Sequence, residues 1–412
     1  MKSMAAYNGR EIPKEDKVFA ASGAALDAVE KYGPEKVINA TVGALYDDSG
    51  ELIVLRSVER IMKSLPAKSY AAYAPIAGTP AFKKAIAKAA FGGYEPKSYV
   101  AVVGTPGGTG AIRNAIANYS QPGDKILTHS WHWAPYKSIS GELYRGIERF
   151  DMFDGEGRFN IADFEYKVKK LTRNQEHLVI ILNTPANNPT GYSLSMEDWY
   201  GVKRVLDDVP EEKKIALVLD VAYIDFAGEP EKVREFLPVA DNLRSNILPV
   251  IAYSASKTFT LYGARCAAMI CLAYSPEVAE EFVKVNSFSA RATWSNSPRA
   301  PQEVIERIYA DERLLTEVEA ERAKARDMLL ARGRAFEKAA AECGLEIVPF
   351  SAGFFVTVPC KEPDTLCKRL NEKNAFLIPL DKGVRVSVAS SSEDKCRRLP
   401  AIIKETMEEL GM

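Results

Sequence analysis

Short apolar runs alternate with amphipathic helical stretches along most of the chain. Between residues 51 and 315, continuous apolar runs such as 178–182 and 215–219 are separated by segments whose apolar residues recur at helical spacing. Such runs are typical of parallel strands, because the helices that connect the strands cover both faces of the sheet. The pattern predicts an α/β domain with a doubly wound sheet over residues 51–315.

The pattern changes in the last quarter of the chain. A long charged helix is predicted over residues 314–341, and strand-like runs follow at 346–350, 354–358 and 384–388, with a helical stretch between the last two. Elements that no longer alternate regularly indicate an α+β unit. Residues 316–412 are therefore predicted to form a small α+β domain, and a chain of 412 residues is long enough for two hydrophobic cores.

Polar residues follow two of the predicted parallel strands. The asparagine-containing segment 183–191 comes after one of them, while Asp220 and Tyr223 come after the next. Ligands of open α/β sheets bind at the carboxyl ends of the strands, so these side chains are placed to meet a bound ring. Each also has a structural alternative: a tight turn for the asparagines, a strand-end cap or ion pair for the aspartate, and a core position for the tyrosine.

A glycine-rich segment, residues 104–110, joins the strand-like run 99–103 to a helical pattern over 111–117. Exposed backbone amides on glycines, together with the N-terminus of a helix, form a site for an anion. The spacing does not match G-x-G-x-x-G, and no G-x-x-x-x-G-K-[ST] occurs, so neither a dinucleotide nor a nucleoside triphosphate is indicated. A phosphate monoester fits better.

Lys257 comes directly after Ser256 and three residues after Ser254, and this segment follows the apolar run 247–252. At the end of a buried strand, loss of hydration lowers the pKa of a lysine and frees its amine to form a Schiff base. Arg265, on the same segment, can bind a phosphate with a guanidinium that keeps its charge. A lysine taken alone is usually a solvated surface charge, but this pattern predicts a site that holds an aldehyde and a phosphate together.

These segments together resemble the class I pyridoxal-phosphate-dependent aminotransferases, the aspartate and aromatic aminotransferase family of fold type I. The resemblance covers nearly the whole chain, from residues 39–50 through 73–78 to 384–389. It implies an α/β fold in which the large domain, residues 51–315, has a mostly parallel seven-stranded sheet sandwiched by helices. It also implies that residues 1–50 form an N-terminal arm on the small α+β domain, and that the chain forms a homodimer with shared active sites.

The resemblance implies pyridoxal 5'-phosphate as the cofactor and assigns roles in its chemistry. Lys257 would carry the cofactor in a Schiff base and later move the substrate proton, and Asp220 would hold the proton of the pyridine nitrogen. Asn188 and Tyr223 would hydrogen-bond the ring hydroxyl. The other implied cofactor-binding residues are Trp133 and Ala222 on the two ring faces, and Gly108, Thr109, Ser254, Arg265 and, from the second subunit, Tyr73 at the phosphate.

Two arginines define the substrate in the same family. Arg385 matches the residue that binds the α-carboxylate, and Arg291 matches the one that reaches across the dimer to a distal carboxylate. Because a buried guanidinium without a partner is costly, Arg291 favours aspartate, glutamate, oxaloacetate and 2-oxoglutarate over neutral substrates. The alternative for Arg291 is an ordinary surface arginine. Gly43, Trp133 and Asn188 are expected to complete the substrate site.

Some positions depart from the aspartate aminotransferase pattern. Gly107 replaces a serine that contacts phosphate, Tyr136 stands in place of a histidine, Trp294 replaces a tyrosine, and Leu45 and Tyr46 change the segment that closes over the substrate. A wider tolerance of aromatic substrates is therefore an open alternative.

The sequence predicts a ping-pong transamination between an amino acid, aspartate or glutamate with aromatic ones as an extension, and a 2-oxo acid. One alternative is another fold-type I enzyme, such as an aromatic-specific aminotransferase, a β-lyase, a decarboxylase or a cyclopropane-forming synthase. A second is a non-catalytic sensor of the cofactor or of an amino acid. Regulators of that kind carry a DNA-binding module before this fold, and no helix-turn-helix pattern precedes the large domain.

Composition limits the partners and the cellular location that are expected for the protein. The 54 basic and 55 acidic residues give a net charge of -1, which offers no electrostatic reason to bind nucleic acid or an anionic membrane. No stretch approaches the ~20 apolar residues of a membrane span. The six cysteines form no CxxC pair, which favours buried reduced thiols and a cytoplasmic location. His129 and His132 lack a third ligand at a recognisable spacing, so no metal site is expected.

Overall fold

A seven-stranded sheet lies at the centre of the computed structural model, which describes Met4 and residues 16–412. The strands, numbered along the chain, are β1 (Ile38–Asn39), β2 (Tyr99–Thr105), β3 (Lys125–His129), β4 (Gly146–Phe150), β5 (His177–Asn183), β6 (Lys214–Asp220), β7 (Ile247–Ser254), β8 (Ala267–Ala273), β9 (Phe355–Pro359), β10 (Ala375–Phe376), β11 (Ile378–Pro379) and β12 (Gly383–Ser387).

Helices connect and cover these strands. They are α1 (Lys17–Tyr32), α2 (Arg56–Lys63), α3 (Ala67–Ala71), α4 (Pro80–Phe91), α5 (Gly107–Asn118), α6 (Pro135–Glu142), α7 (Ile161–Asn174), α8 (Met196–Asp207), α9 (Leu237–Ala240), α10 (Ala255–Thr258), α11 (Pro276–Thr293), α12 (Arg299–Ala310), α13 (Glu312–Glu342), α14 (Pro363–Glu372) and α15 (Glu393–Glu409). Short 3-10 turns occur at Pro34–Lys36, Ile224–Phe226, Lys232–Arg234 and Val388–Ser390.

The order of strands in the central sheet is β2-β8-β7-β6-β5-β3-β4. Only β8 runs antiparallel to its neighbours β2 and β7, and the other pairs are parallel. Thr105 and Ser254 both pair with Ala267, so the carboxyl ends of β2 and β7 meet at the start of β8. Asn183 pairs with Asp220 at the carboxyl ends of β5 and β6. One edge of the sheet therefore collects the residues that follow these strands.

The predicted apolar runs are buried because the sheet is covered on both faces. In β5, Leu178, Ile180 and Leu182 pack into one core, while Val179 and Ile181 pack into another on the opposite face. Side chains of a strand alternate between faces, so a strand buried on both sides has to be apolar throughout. The mostly parallel seven-stranded sheet that the family resemblance implies is confirmed.

A further core joins the C-terminal quarter to the segment around β1. It is built from α13, α14 and α15 with the antiparallel sheet β11-β12-β9, and β1 pairs with β10. Lys17 at the start of α1 contacts Asp364 on α14, with 2.7 Å between Nζ and Oδ1. These contacts support a small domain that includes part of the N-terminal arm, although the boundaries at residues 51 and 315 stay a prediction. Residues 1–3 and 5–15 of the arm lie outside the described residues.

The strand predicted at residues 346–350 is wrong. This segment has no strand conformation, and it is joined to β9 by a bond from the Val348 N–H to the carbonyl of Thr357 at 2.9 Å. Pro349 has no N–H with which to extend a ladder. The ring of Phe350 packs instead over Gly191 and Gly333, where any β-carbon would lie within 2.6 Å of a ring atom. An apolar run can thus anchor a loop as well as form a strand.

Candidate active site

A cavity of about 320 Å³ lies at the carboxyl ends of β2, β5, β6 and β7. Most of the predicted site residues line it. They are Gly43, Gly108, Thr109, Trp133, Asn188, Asp220, Ala222, Tyr223, Ser254, Lys257, Arg265 and Arg385. Two predicted residues, Tyr73 and Arg291, do not line it.

Lys257 stands on the single turn α10, directly after β7. Its Nζ donates a hydrogen bond to the carbonyl of Gly43 at 3.0 Å and lies 4.7 Å from the centre of the Tyr262 ring. Burial, with smaller contributions from the charges of Arg265 and Arg385, lowers the pKa of Lys257 to about 7. A substantial fraction of the amine is then neutral and nucleophilic near neutral pH.

A buried ionic network fixes the turn that carries this lysine. Asp225 accepts hydrogen bonds from Thr258 Oγ1 at 2.7 Å, from Tyr253 OH at 2.8 Å and from Arg234 Nη2 at 2.7 Å. Burial alone would raise the pKa of Asp225, but the charges of Arg322 and Arg234 outweigh it, so the pKa lies below the usual range. Tyr253 and Thr258, which precede and follow Lys257 in the chain, are thus both bonded to one charged carboxylate.

Asp220, the last residue of β6, is a buried carboxylate without an ion-pair partner in the part of the chain that the structure describes. Its Oδ2 accepts from the Tyr136 hydroxyl at 2.6 Å, and its Oδ1 accepts from the Ala222 N–H at 3.3 Å. Burial raises the pKa of Asp220, and these two hydrogen bonds partly offset that effect. A positively charged donor in the cavity would satisfy the carboxylate.

Asn188, Tyr223 and Arg385 form one connected group. Asn188 is held by its own N–H, which donates to Asn183 Oδ1 at 2.7 Å, and its Nδ2 lies 3.3 Å from the Tyr223 hydroxyl. Arg385 Nη1 donates to Asn188 Oδ1 at 3.2 Å, and Nη2 donates to the carbonyl of Thr41 at 2.8 Å. The cavity therefore presents an amide, a phenol and a guanidinium in fixed positions.

Arg385 is the buried cation of this group. It projects from β12, is 7% exposed, and lies 4.3 Å from the centre of the Phe355 ring. Its Nε has no hydrogen-bond partner among the described residues, and burial lowers its pKa to about 10. A carboxylate would supply the missing acceptor, because a guanidinium binds carboxylates through parallel N–H groups.

The opposite end of the cavity is shaped for an anion. Helix α5 begins at Gly107, and Gly108 and Thr109 present its first turn beside Ser254. A β-carbon on Gly107, whose φ is +78, would lie 2.1 Å from Arg265 Nη2. The replacement of the family's serine by glycine is thus matched to the position of Arg265, since any side chain there would displace the guanidinium. Helix N-termini and guanidinium groups both favour phosphate.

This donor set fits pyridoxal 5'-phosphate. The cationic cradle around Arg265 suits a phosphate, the carboxylate of Asp220 suits a protonated ring nitrogen, and the low-pKa amine of Lys257 suits a carbonyl carbon. Asn188 and Tyr223 can hydrogen-bond a ring hydroxyl. Trp133 and Ala222, both lining residues, are available for the ring faces.

Tyr73 and Arg291 lie instead on the surface of the single chain. Tyr73 is 87% exposed, and Arg291 is exposed with its Nη1 donating to Ser295 Oγ at 2.7 Å. Their two segments adjoin, because Asn296 Nδ2 donates to the carbonyl of Ala74 at 3.1 Å. Their roles stay a prediction that requires a second subunit.

The cavity includes residues that the sequence analysis did not assign to the site. Val18 of α1, Asn183 at the end of β5, Ser256 beside the lysine and Phe355 on β9 all line it. The positions of Asn183 and Ser256, at a strand end and next to Lys257, were available signals. Val18 and Phe355 gave none, because apolar residues on a helix or strand are usually part of a core.

The two histidines near Trp133 belong to the packing around the site. His129 is buried, its Nε2 lies 3.4 Å from Asn187 Nδ2, and burial lowers its pKa to about 3. Among Met4 and residues 16–412, no three His, Cys, Asp or Glu side chains cluster as metal ligands would. Within the same residues, no helix combines the length and apolar character needed to span a membrane.

Comparisons with known proteins agree with this geometry. The family model described as aminotransferase class I and II matches residues 35–403. The aromatic-amino-acid aminotransferase of Pseudomonas aeruginosa is 29% identical over 70% of this chain and 72% of its own length. The aspartate aminotransferase of Salmonella typhi is 26% identical over 67% and 69%. Matches to the curated relatives span between 62% and 72% of their lengths.

Solved structures extend the likeness to the whole chain. An aminotransferase from Anaerococcus prevotii is 36% identical and superposes with a TM-score of 0.95, covering 98% of this chain and 99% of that one. The cytoplasmic aspartate aminotransferase of Giardia lamblia shares the fold at a TM-score of 0.81 and 19% identity, with 99% and 100% covered. The chain belongs to the class I and II aminotransferase family and is a pyridoxal-phosphate-dependent transaminase.

Proposed function

We propose that this transaminase exchanges the amino groups of aspartate and glutamate with oxaloacetate and 2-oxoglutarate by a ping-pong mechanism. The observation that carries the proposal is the pairing, in one cavity, of the low-pKa amine of Lys257 with the buried, incompletely bonded guanidinium of Arg385. The guanidinium would bind the α-carboxylate of an amino acid. The amine would then lie near Cα, where it can act as a base.

Each residue has a separate task in this proposal. Bound pyridoxal phosphate supplies an electron sink for the charge that develops at Cα. Asp220 would keep the ring nitrogen protonated, and Asn188 would orient both the ring and Arg385, because it contacts Tyr223 and Arg385. Lys257 Nζ would take the proton from Cα of the amino acid and deliver it to the cofactor carbon.

The choice of dicarboxylates depends on Arg291. In a dimer, the exposed guanidinium of one subunit would face the cavity of the other and pair with the distal carboxylate. The segments that carry Tyr73 and Arg291 adjoin each other, which supports this arrangement. Both side chains would then project from the same surface of one subunit into the site of the partner. Aromatic substrates are the second candidate, because the first relative compared above is named for them.

Spectroscopy of the purified, cofactor-loaded protein tests the reaction. Aspartate and glutamate are expected to bleach the absorption band of the bound cofactor, and 2-oxoglutarate is expected to restore it. Tyrosine and alanine serve as aromatic and neutral comparisons, and a Lys257→Ala variant serves as the control. A band that no amino acid changes would contradict transamination and favour a sensor, while irreversible release of product would favour a lyase or a decarboxylase.

Subunit mixing tests the proposed homodimer. Lys257→Ala removes the amine of the site, and Arg291→Leu removes the guanidinium proposed for the distal carboxylate. If Arg291 acts in the partner subunit, a hybrid dimer of the two variants has one complete site. Random mixing of two such variants gives about one quarter of the wild-type activity with aspartate. Recovery of no activity, although sedimentation shows mixed dimers, would place both residues in the same subunit's site.

We also propose that the enzyme works in the cytoplasm. The support is that Cys266, Cys271, Cys343, Cys360, Cys367 and Cys396 are all unpaired, as thiols are in a reducing compartment. Localisation of a tagged full-length chain by microscopy tests this, and enrichment in another compartment would contradict it.

A further inference from the structure

The phenol of Tyr136 connects two predicted cofactor residues. It lies in the first turn of α6, is completely buried, and donates from its hydroxyl to Asp220 Oδ2 at 2.6 Å. It is absent from the cavity lining, so it stands behind Asp220. Its contact with the cofactor site therefore runs through other side chains.

The ring of Tyr136 also contacts Trp133. The two ring centres are 5.5 Å apart at an interplanar angle of 85°, which is the favourable edge-to-face arrangement. The Tyr136 N–H donates to the Trp133 carbonyl at 3.0 Å. The ring of His132 stacks on Tyr136 at 6.3 Å and 20°. Packing of this kind restricts the rotamer of the phenol and the indole together.

We propose that Tyr136 is a positioning residue, whose hydroxyl holds the Asp220 carboxylate toward the ring nitrogen while its ring holds the indole of Trp133 over the ring face. This inference rests on the proposed function, because it assigns those tasks to Asp220 and Trp133. One side chain would then set both the in-plane and the stacking contact of the cofactor ring.

A phenol is well suited to this task. It can donate to Asp220, and unlike an imidazole it gains no positive charge near neutral pH. Burial and the neighbouring charge of Asp220 raise the pKa of Tyr136 well above its usual value, and Tyr223 acts in the same direction. The stacked His132 has a pKa lowered mainly by burial, which favours its neutral form. The hydrogen bond thus persists over the pH range in which the amine of Lys257 titrates.

The bond also determines where a shared proton lies. Burial raises the pKa of Asp220, and donation from Tyr136 opposes that effect. Without the hydroxyl, a proton shared between Asp220 and the ring nitrogen would move toward the carboxylate. The ring would then lose positive charge and withdraw electrons less strongly from Cα.

Tyr136→Phe tests the inference in the full-length, cofactor-loaded protein without any amino acid present. The variant removes one oxygen and keeps the ring. We expect the dissociation constant for pyridoxal phosphate to rise about tenfold, as for loss of one charge-assisted hydrogen bond. The pH midpoint of the cofactor's absorption band should also move upward, because a less positive ring makes the proton at the lysine linkage harder to remove.

Tyr94→Phe is a matched control. The Tyr94 hydroxyl also donates to a carboxylate, Asp241 Oδ2, at 2.6 Å, but this pair lies away from the cavity. Its variant should keep the wild-type dissociation constant and midpoint. Tyr136→His keeps an aromatic ring and restores a hydrogen-bond donor, so its midpoint is expected between those of the wild type and Tyr136→Phe.

An unchanged midpoint in Tyr136→Phe would overturn the inference, whether or not the melting temperature falls, because packing alone would then explain the residue. The outcome is independent of the reaction proposed above. If amino acids fail to bleach the wild-type band, the proposed function is wrong, but the band still titrates with pH and still reports on Tyr136.

Discussion

Arg385 and Arg291 have the same side chain and face opposite environments. Arg385 is 7% exposed, held by Asn188 and by the carbonyl of Thr41, and lies against an aromatic ring inside the cavity. Arg291 is exposed at the end of α11 and bonded to a serine one turn away. In the single chain, the first is recognisable as a binding residue and the second resembles any surface arginine.

If two subunits share the site as proposed, the two arginines would have different tasks in substrate binding. The α-carboxylate, which all amino acids share, would be bound by a residue that a single chain buries and preorganises. The distal carboxylate, which distinguishes aspartate and glutamate from other amino acids, is assigned to Arg291, which a second chain would have to shield from water. Exclusion of water strengthens the attraction between opposite charges, so the selective contact would form fully only on assembly.

The largest effect is expected from Arg385→Leu. The ratio kcat/KM should fall by about 1,000-fold for aspartate and alanine alike, because the lost guanidinium binds the group that both substrates share. Steady-state kinetics with both amino acids measures this. Arg385→Lys, which keeps the charge but not the paired N–H groups, should recover part of the loss. A defect confined to aspartate would contradict the assignment.

Arg291→Leu should separate the substrates. We expect kcat/KM for aspartate and glutamate to fall by about 100-fold while that for alanine changes little, since only the former carry a distal carboxylate. Lys284→Leu removes another exposed cation from the same helix and should leave the ratio unchanged. Equal losses for aspartate and alanine would mean that Arg291 has no role in selection.

Gly107→Ala probes the anion end, which is the same for every substrate. A methyl group at this position would displace Arg265 and strain a backbone with φ of +78, so the dissociation constant for pyridoxal phosphate should rise at least tenfold. Equilibrium dialysis gives the constant. Gly93→Ala, where a β-carbon meets nothing within 4 Å, is the control. Wild-type affinity in Gly107→Ala would show that the Arg265 side chain can shift without loss of cofactor binding.

The smallest effect concerns pH. Because the pKa of Lys257 is lowered to about 7, the rate at which apoprotein captures pyridoxal phosphate should rise up to about tenfold between pH 6 and 8 and then level off. A rise that continues to pH 10 would indicate an ordinary, solvated lysine.

The same lysine links pH to folding. Between about 7 and the unperturbed 10.5, the unfolded chain binds more protons than the folded one, so the free energy of unfolding should rise with pH. The comparison is between apoprotein and a Lys257→Met variant, measured by denaturant titration. The difference in free energy of unfolding between the two proteins should change with pH between about 7 and 10.5 and become constant below about pH 6.

Much of the fold was predictable from local pattern. The runs that became β5, β6 and β7 are apolar throughout because both faces of the sheet are covered, and α13 spans the long charged helix expected near residues 314–341. The strand predicted at residues 346–350 does not form, because Phe350 packs over two glycines and a short apolar run carries no information about such packing.

Some residues of the candidate site could likewise be predicted from the sequence, and others could not. Asp220 and Lys257 could be found from sequence, because Asp220 ends an apolar strand and Lys257 comes just after one, where a polar residue is expected to meet a ligand. Val18 and Phe355 could not, since an apolar side chain looks the same whether it faces a core or a cavity.

The kinds of side chain at the strand ends and their order along the chain are local properties, so the chemistry of the site could be predicted from the amino-acid sequence. It specified a lysine, an aspartate, an asparagine and two arginines, and the order in which the strands present them. The charge and hydrogen-bonding states of these side chains depend on the folded chain. The lowered pKa of Lys257, the absence of an ion pair at Asp220 among the described residues, the hydrogen bond from Tyr136 to Asp220 and the close approach of Arg265 to Gly107 all depend on distances between segments remote in sequence. Desolvation and contact are properties of the folded chain, and no local pattern encodes them.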